Sequence, residues 1–277
     1  NWCNNHAPKQ VPIDATTPAA PKALERLQNI ISLGLIPNMT TNFLSVVHAM
    51  ELPNSAISIT TRSTEVALAQ WQTLIQQGIP VQFADPKMVK KISSAVNKKP
   101  IEIDIIHFDT KKTLHANIHA KNAITVYQQV LLAGLNPKLS ATTRTVILTY
   151  QARNSTALQR IRLPEPNFTS FKQALEDGFL LDDVSLQKLI ANMSRKRTNL
   201  QIEFKNITDP ITAILLRQQI KQIQQINMAT GSHITFTFDP STMQAMQQPL
   251  DKKSTEELKT FYRNTSIMSA GKKADAA

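Results

Sequence analysis

Glycine is scarce in this chain, at 6 of 277 residues, and its placement sets a frame for the fold. Gly34, Gly78, Gly134 and Gly178 each close a stretch whose apolar residues recur at helical spacing, and they stand 44, 56 and 44 residues apart. A glycine just past such a stretch is a natural helix stop, because without a Cβ it enters the left-handed region freely. Pro37, Pro80 and Pro137 follow the first three, where a helix cannot continue. The helices that end at these glycines carry Leu24, Leu27 and Ile31; Leu68, Trp71 and Ile75; the run 126–132; and Phe171, Ala174 and Leu175.

A second helix is predicted after each glycine. Its apolar faces are Phe43, Val47 and Met50; Met88, Ile92 and Val96, opened by Asp85-Pro86 as cap and first turn; Val146, Ile147 and Tyr150; and Leu186, Ile190 and Met193. A short alternating segment comes next, at 56–60, 101–108, 158–163 and 200–204. A shortened fifth unit runs from Asp209-Pro210 through Leu216, Ile220 and Ile223 to a strand at 234–238. Ile57 and Ile101 both lie 23 residues after their glycine, and Ile202 lies 24 after its own. The expected fold class is therefore α/β, with about four to five αα-β repeats and short parallel strands. One unit cannot bury its own faces, so neighbouring strands are expected to pair side by side, in an open solenoid or a curved sheet flanked by helices. Ser58, Thr60, Glu102, Asp104, Arg160, Arg162, Glu203, Thr235 and Thr237 alternate with apolar positions, so one sheet face should be wet. Residues 1–20 read as a flexible arm, 21–240 as the repeat domain and 241–277 as a mobile tail. A capping box at Ser254-Thr255-Glu256-Glu257 could start one short helix there, with Leu258, Phe261 and Tyr262 on its apolar side.

Composition narrows the function classes. Hydrophobic residues make up 42%, enough for a core without staples, and the one cysteine, Cys3, excludes an intrachain disulfide framework and cysteine-based zinc sites. A cytoplasmic setting is the natural redox reading. Six N-x-S/T triplets, from Asn38, Asn154, Asn167, Asn192, Asn206 and Asn264, are what an Asn-, Ser- and Thr-rich chain gives by chance. No apolar run reaches the roughly 18–20 residues that span a bilayer, and no basic-then-apolar signal opens the chain. No two glycines lie within six residues of each other, which argues against phosphate-cradling nucleotide loops, and no cofactor is called for. The net charge of +11 favours acidic partners: an acidic protein first, with nucleic acid or an anionic membrane surface as alternatives.

Local stretches such as 29–38, 73–82 and 130–139 resemble pentatricopeptide or ankyrin repeats, and the helix followed by I-x-I resembles long leucine-rich repeats. The strand, the period and the missing asparagine ladder set the chain apart from all three. As a whole, a cysteine-poor chain rich in Lys, Asn, Gln and Ile, with a glutamate pair at Glu256-Glu257 before a small, polar tail, resembles type IV secretion effector proteins of intracellular bacteria. That resemblance implies a repeat-built protein secreted into a host cell, acting as a non-enzymatic interaction scaffold or a secretion accessory.

The candidate binding residues are basic. Lys90, Lys91, Lys98 and Lys99, and Arg195, Lys196 and Arg197, fall at or after a second helix just before a strand; Arg160 and Arg162 alternate on a strand. Stacked in register, they would line a rim able to hold a polyanion or an acidic partner. At a helix C-terminus the same charges also offset the helix dipole, by roughly 0.3–1 kcal/mol each. Aromatics are only 5% and do not interleave with the basic groups, so base stacking is not indicated. No catalytic residues are assigned. His115 and His119 are four apart, with Asp104, His107 and Asp109 nearby, a weak metal-like spacing without the glutamate a zinc protease needs. Glu102 and Asp104 followed by Lys111 and Lys112 faintly resemble a metal-dependent nuclease, and solvated strand charges explain them more simply.

Overall fold

A computed structural model describes residues 9–14, 20–96, 99–104, 113–154, 158–193, 199–204 and 212–247. Strand, helix, strand, helix occurs five times in succession. The first segment is β1 (Gln10–Ile13), α1 (Ala20–Ser32), β2 (Ile36–Met39) and α2 (Thr41–His48). The second is β3 (Ile57–Ile59), α3 (Thr64–Gln76), β4 (Val81–Phe83) and α4 (Lys87–Ala95). The third is β5 (Ile101–Ile103), α5 (Thr113–Leu132), β6 (Pro137–Leu139) and α6 (Ala141–Arg153). The fourth is β7 (Arg160–Ile161), α7 (Phe168–Glu176), β8 (Leu180–Leu181) and α8 (Asp183–Met193). The fifth is β9 (Asn199–Phe204), α9 (Thr212–Thr230), β10 (His233–Phe238) and α10 (Pro240–Gln247). The α/β class and the parallel strands are as expected.

The pairing is not. In each segment the two strands hydrogen-bond to each other in parallel, and among the described residues no strand pairs across segments, giving five two-stranded sheets. The unit is thus βαβα rather than ααβ. The unforeseen strands β2, β4, β6 and β8 follow directly after a glycine and hold two to four residues. Pro37 and Pro137 lie inside two of them and Pro80 directly precedes a third, so these stretches read as turns after the helix stops. Proline is tolerated there because each strand has an outer edge that needs no N–H. β1 lies in the segment expected to be a flexible arm, and α10 extends past 240 into the expected tail; the helix expected from Ser254 lies outside the described residues.

The glycines act as the sequence implies, with φ of +72° at Gly34, +70° at Gly78, +76° at Gly134 and +88° at Gly178. At all four the glycine N–H donates three residues back and the next N–H donates five back, as in Leu35 to Ile30 at 3.2 Å and Phe179 to Ala174 at 2.8 Å. This is the Schellman closure, which satisfies carbonyls that the helix leaves open. Gly231 ends α9 in the same region, through the simpler single bond to Asn227 at 2.9 Å.

A second contact recurs in all five segments. The residue after the second strand donates its N–H to the last carbonyl of the first strand: Thr40 to Ile13, Ala84 to Ile59, Ser140 to Ile103, Asp182 to Ile161 and Asp239 to Phe204. Caps at that point start the second helix. Thr40 accepts from the Phe43 N–H, Asp182 from Ser185 and Asp239 from Thr242. The inward face of α8 is Ser185, Leu189 and Met193 rather than Leu186, Ile190 and Met193. Ser185 is drawn inside because its hydroxyl accepts the Leu163 N–H at 2.9 Å, a buried donor with no helix to serve it.

The chain divides into two compact units, residues 1–147 and 148–277, with the boundary inside α6. The core of the first holds Leu27, Ile31, Phe43, Val47, Trp71, Leu74, Tyr127 and Ile147; that of the second holds Phe171, Phe179, Leu189, Ile202, Leu216 and Ile223. Among the described residues no helix is long and apolar enough to cross a membrane.

Candidate interaction surface

Two-stranded sheets leave backbone edges open, and side-chain amides close them. The Gln28 amide of α1 donates to the Ser58 carbonyl at 2.9 Å and accepts the Ser58 N–H at 2.8 Å, copying one step of a β-ladder against β3. Gln129 of α5 accepts from the Val81 N–H of β4 and donates to Asn54. Gln70 of α3 donates to the Ile31 and Leu35 carbonyls around the Gly34 turn. These bonds tie consecutive βαβα segments within the first unit. In the second unit Gln222 of α9 brackets Leu181 through both its atoms, and Asn227 does the same for Ile234. Gln28, Gln70, Gln129 and Gln222 stand at no constant distance from the glycines, so no sequence period marked these amides.

The outward strand positions are polar. Asn38, Gln82, Glu102 and Lys138 are exposed in the first unit; Arg160, Asn199, Gln201, Glu203, His233, Thr235 and Thr237 are exposed in the second. Register sets Glu102 against Lys138, an ion pair at 3.9 Å, and Thr237 against Glu203. One face of the β1–β2, β3–β4, β5–β6 and β9–β10 sheets therefore meets water, as the alternation implied, whereas in β7–β8 both residues of β8 are buried.

The basic candidates separate into three groups. Arg160 and Arg162 are not available as an unpaired rim: Arg160 meets Asp183 at 3.2 Å and Arg162 meets Asp182 at 2.8 Å. Asp182 explains the second pair. Burial raises its pKa, but the Ser185 hydroxyl and N–H and the Arg162 guanidinium outweigh that and hold the carboxyl below its ordinary value. Lys98, Arg195, Lys196 and Arg197 lie outside the described residues. Lys90, Lys91 and Lys99 are exposed, and among the described residues none forms an ion pair.

Lys87, which sequence reasoning passed over, completes this group. Met88 and Ile92 face inward on α4, so Lys87, Lys90, Lys91 and Ser94 share the outward face at i, i+3, i+4 and i+7. Among the described residues no large exposed apolar side chain accompanies them on that helix.

The weak metal and nuclease candidates fall only in part on described residues. His119 is 5% exposed and packs against His48; the side chain of His115 lies outside those described. Asp104 accepts from the Ser140 and Thr143 hydroxyls at 2.6 and 3.2 Å, fixing the start of α6, while Glu102 is taken by Lys138. His107, Asp109, Lys111 and Lys112 lie outside the described residues. Among the described residues no three His, Cys, Asp or Glu side chains gather as a metal would need. Comparison with known protein families, with curated proteins and with solved structures gave no match.

Proposed function

We propose that this chain is a non-enzymatic protein–protein interaction scaffold that docks an acidic protein on its exposed polar strand faces and on the lysine face of α4. The observation that carries the reading is that Lys87, Lys90, Lys91 and Lys99 stand exposed beside wet strands without ion-pair partners among the described residues, whereas Arg160 and Arg162 are already engaged. Within each unit the βαβα segments are proposed to stack as turns of an open solenoid. The amides of Gln28, Gln70 and Gln129 support this, since each reaches from one segment to the next.

Labelled polyglutamate, followed by fluorescence anisotropy, tests the docking. It is expected to bind, to weaken as salt screens the contacts, and to lose at least tenfold in affinity in a Lys87→Glu, Lys90→Glu, Lys91→Glu variant. Duplex RNA and acidic phosphatidylserine vesicles serve as competitors. Tighter binding of either, lost in the same variant, would replace the acidic protein by nucleic acid or an anionic membrane.

The type IV effector resemblance bears on where such a scaffold would act, in the cytosol of a host cell. A reporter enzyme fused to its N-terminus should register in host cells only when the delivering bacterium has a working secretion system. Equal signal from a secretion-deficient strain would remove that part of the proposal.

A further inference from the structure

We propose that Ser94 is a phosphorylation site and that a phosphate there switches off the lysine face of α4; this rests on the docking reading above and adds its regulation. Two serines stand near the end of that helix, directly behind Lys90-Lys91-Ile92. In sequence either suits a kinase whose acidic cleft selects basic residues ahead of the serine. The fold tells them apart. Ser93 is half-buried, and its hydroxyl donates to the Ala133 carbonyl just past α5, with the Val89 carbonyl at 2.8 Å. Ser94 is exposed, and its hydroxyl points back at carbonyls of its own helix, Lys91 at 2.9 Å and Lys90 at 3.1 Å.

Back-bonding of this kind weakens a helix slightly, because the hydroxyl competes with the backbone for the same carbonyl. Ser94 is the penultimate residue of α4, and Val96 beyond it is already extended, with φ −76° and ψ 114°. A kinase takes its serine in an extended stretch of chain, and the last turn is where a helix opens at least cost.

The transfer is ordinary phosphoryl chemistry. The Ser94 oxygen attacks the γ-phosphorus of ATP, the bond to the β-phosphate oxygen breaks, ADP leaves, and the hydroxyl proton passes to the catalytic base of the kinase. The product carries about −1.5 to −2 charge at neutral pH. Lys90 and Lys91 stand four and three residues before it on the same outward face, the spacing at which helix side chains meet. α4 itself holds no carboxylate, and Asp85 ahead of it accepts the Lys87 N–H at 2.9 Å, at the far end from Ser94. Of Asn97 and Lys98, which lie outside the described residues, the one charge has the same sign as the lysines. The phosphate therefore offsets about half or more of the charge of Lys87, Lys90 and Lys91, and it repels the carboxylates of an acidic partner.

To test this, the full chain is treated with ATP and a serine kinase of basic-residue specificity. Tandem mass spectrometry locates the phosphate, and anisotropy of labelled polyglutamate is read before and after. Ser94 should take the phosphate and Ser93 should not. The phosphorylated chain is expected to bind about tenfold more weakly, and a phosphatase should restore the affinity. Ser94→Ala should bind like the wild type and lose nothing on kinase treatment. A phosphate on Ser93 in place of Ser94, none on either, or full affinity with Ser94 phosphorylated overturns the proposal. So does an equal loss in treated Ser94→Ala, which would put the effect elsewhere. The docking reading fails separately: if the Lys87→Glu, Lys90→Glu, Lys91→Glu chain binds polyglutamate as the wild type does, the lysine face is not the docking site and the switch falls with it.

Discussion

Replacing Gly178 by alanine separates two costs that the other glycines carry only in part. An alanine held in the left-handed region loses about 1–2 kcal/mol, because its Cβ crowds the following carbonyl. At Gly34 and Gly134, with φ of +72° and +76°, that is the whole cost, since an added Cβ meets nothing within 4 Å. At Gly178, φ is +88° and the new Cβ would stand 2.4 Å from Leu148 Cδ2, 3.3 Å from its Cγ and 3.7 Å from Leu215 Cδ2. The Leu215 approach is ordinary contact, so the clash falls on Leu148, which is half-buried and must swing aside. Overpacking of this kind adds about 1–3 kcal/mol. Gly34→Ala and Gly134→Ala are therefore expected to cost about 1–2 kcal/mol and Gly178→Ala about 2–5 kcal/mol. Urea titration read by hydrogen exchange and mass spectrometry reports the two units separately, which a single optical signal would blur. In a Leu148→Ala background the Gly178→Ala cost should fall back to the backbone share of about 1–2 kcal/mol. The reasoning fails if Gly178→Ala costs no more than Gly34→Ala, or if the excess survives the loss of the Leu148 side chain.

Removing the Gln28 amide should expose both backbone groups of Ser58, so Gln28→Ala is expected to destabilise the first unit by about 1–3 kcal/mol and to speed Ser58 amide exchange. Gln28→Glu should do nearly as much harm, because a carboxylate cannot donate to the Ser58 carbonyl. Ser185→Ala strands the buried Leu163 N–H, with an expected cost of about 1–3 kcal/mol in the second unit and little change in the first. Asp182 is held below its ordinary pKa, so its contribution is present above about pH 4 and is lost as pH falls through its folded value. In acid unfolding followed by circular dichroism, Asp182→Asn should therefore lose less stability than the wild type between pH 5 and 2.

What could be read from the sequence depended on how far each element's own pattern stood clear of the turns beside it. The glycine stops, the helices before and after them, and the alternating strands β3, β5, β9 and β10 were legible, because a helix face or a run of alternation leaves several residues as witnesses. β4 and β8 were not: Val81–Phe83 comes straight after Pro80 at a helix stop and reads as a turn, and Leu180–Leu181 has no polar residue to alternate with. Missing them reversed the pairing rule, since β3, β5 and β7 bond to β4, β6 and β8 of their own segments. Burial of Ser185 and His119 was equally hidden: both types usually face water, and only a distant backbone donor or a second imidazole draws them inside. Of the basic residues, Arg160 and Arg162 could not be distinguished from the α4 lysines by composition. The difference lies in Asp182 and Asp183, some twenty residues onward in sequence but beside them in the fold.

The account is tested most directly by mapping where an acidic chain lands. Backbone amide shifts of the labelled protein, recorded while polyglutamate is added, should move along α4 around Lys87, Lys90 and Lys91 and at outward strand positions such as Gln82. Binding that leaves those amides unmoved and shifts others, or no binding at low salt, contradicts it.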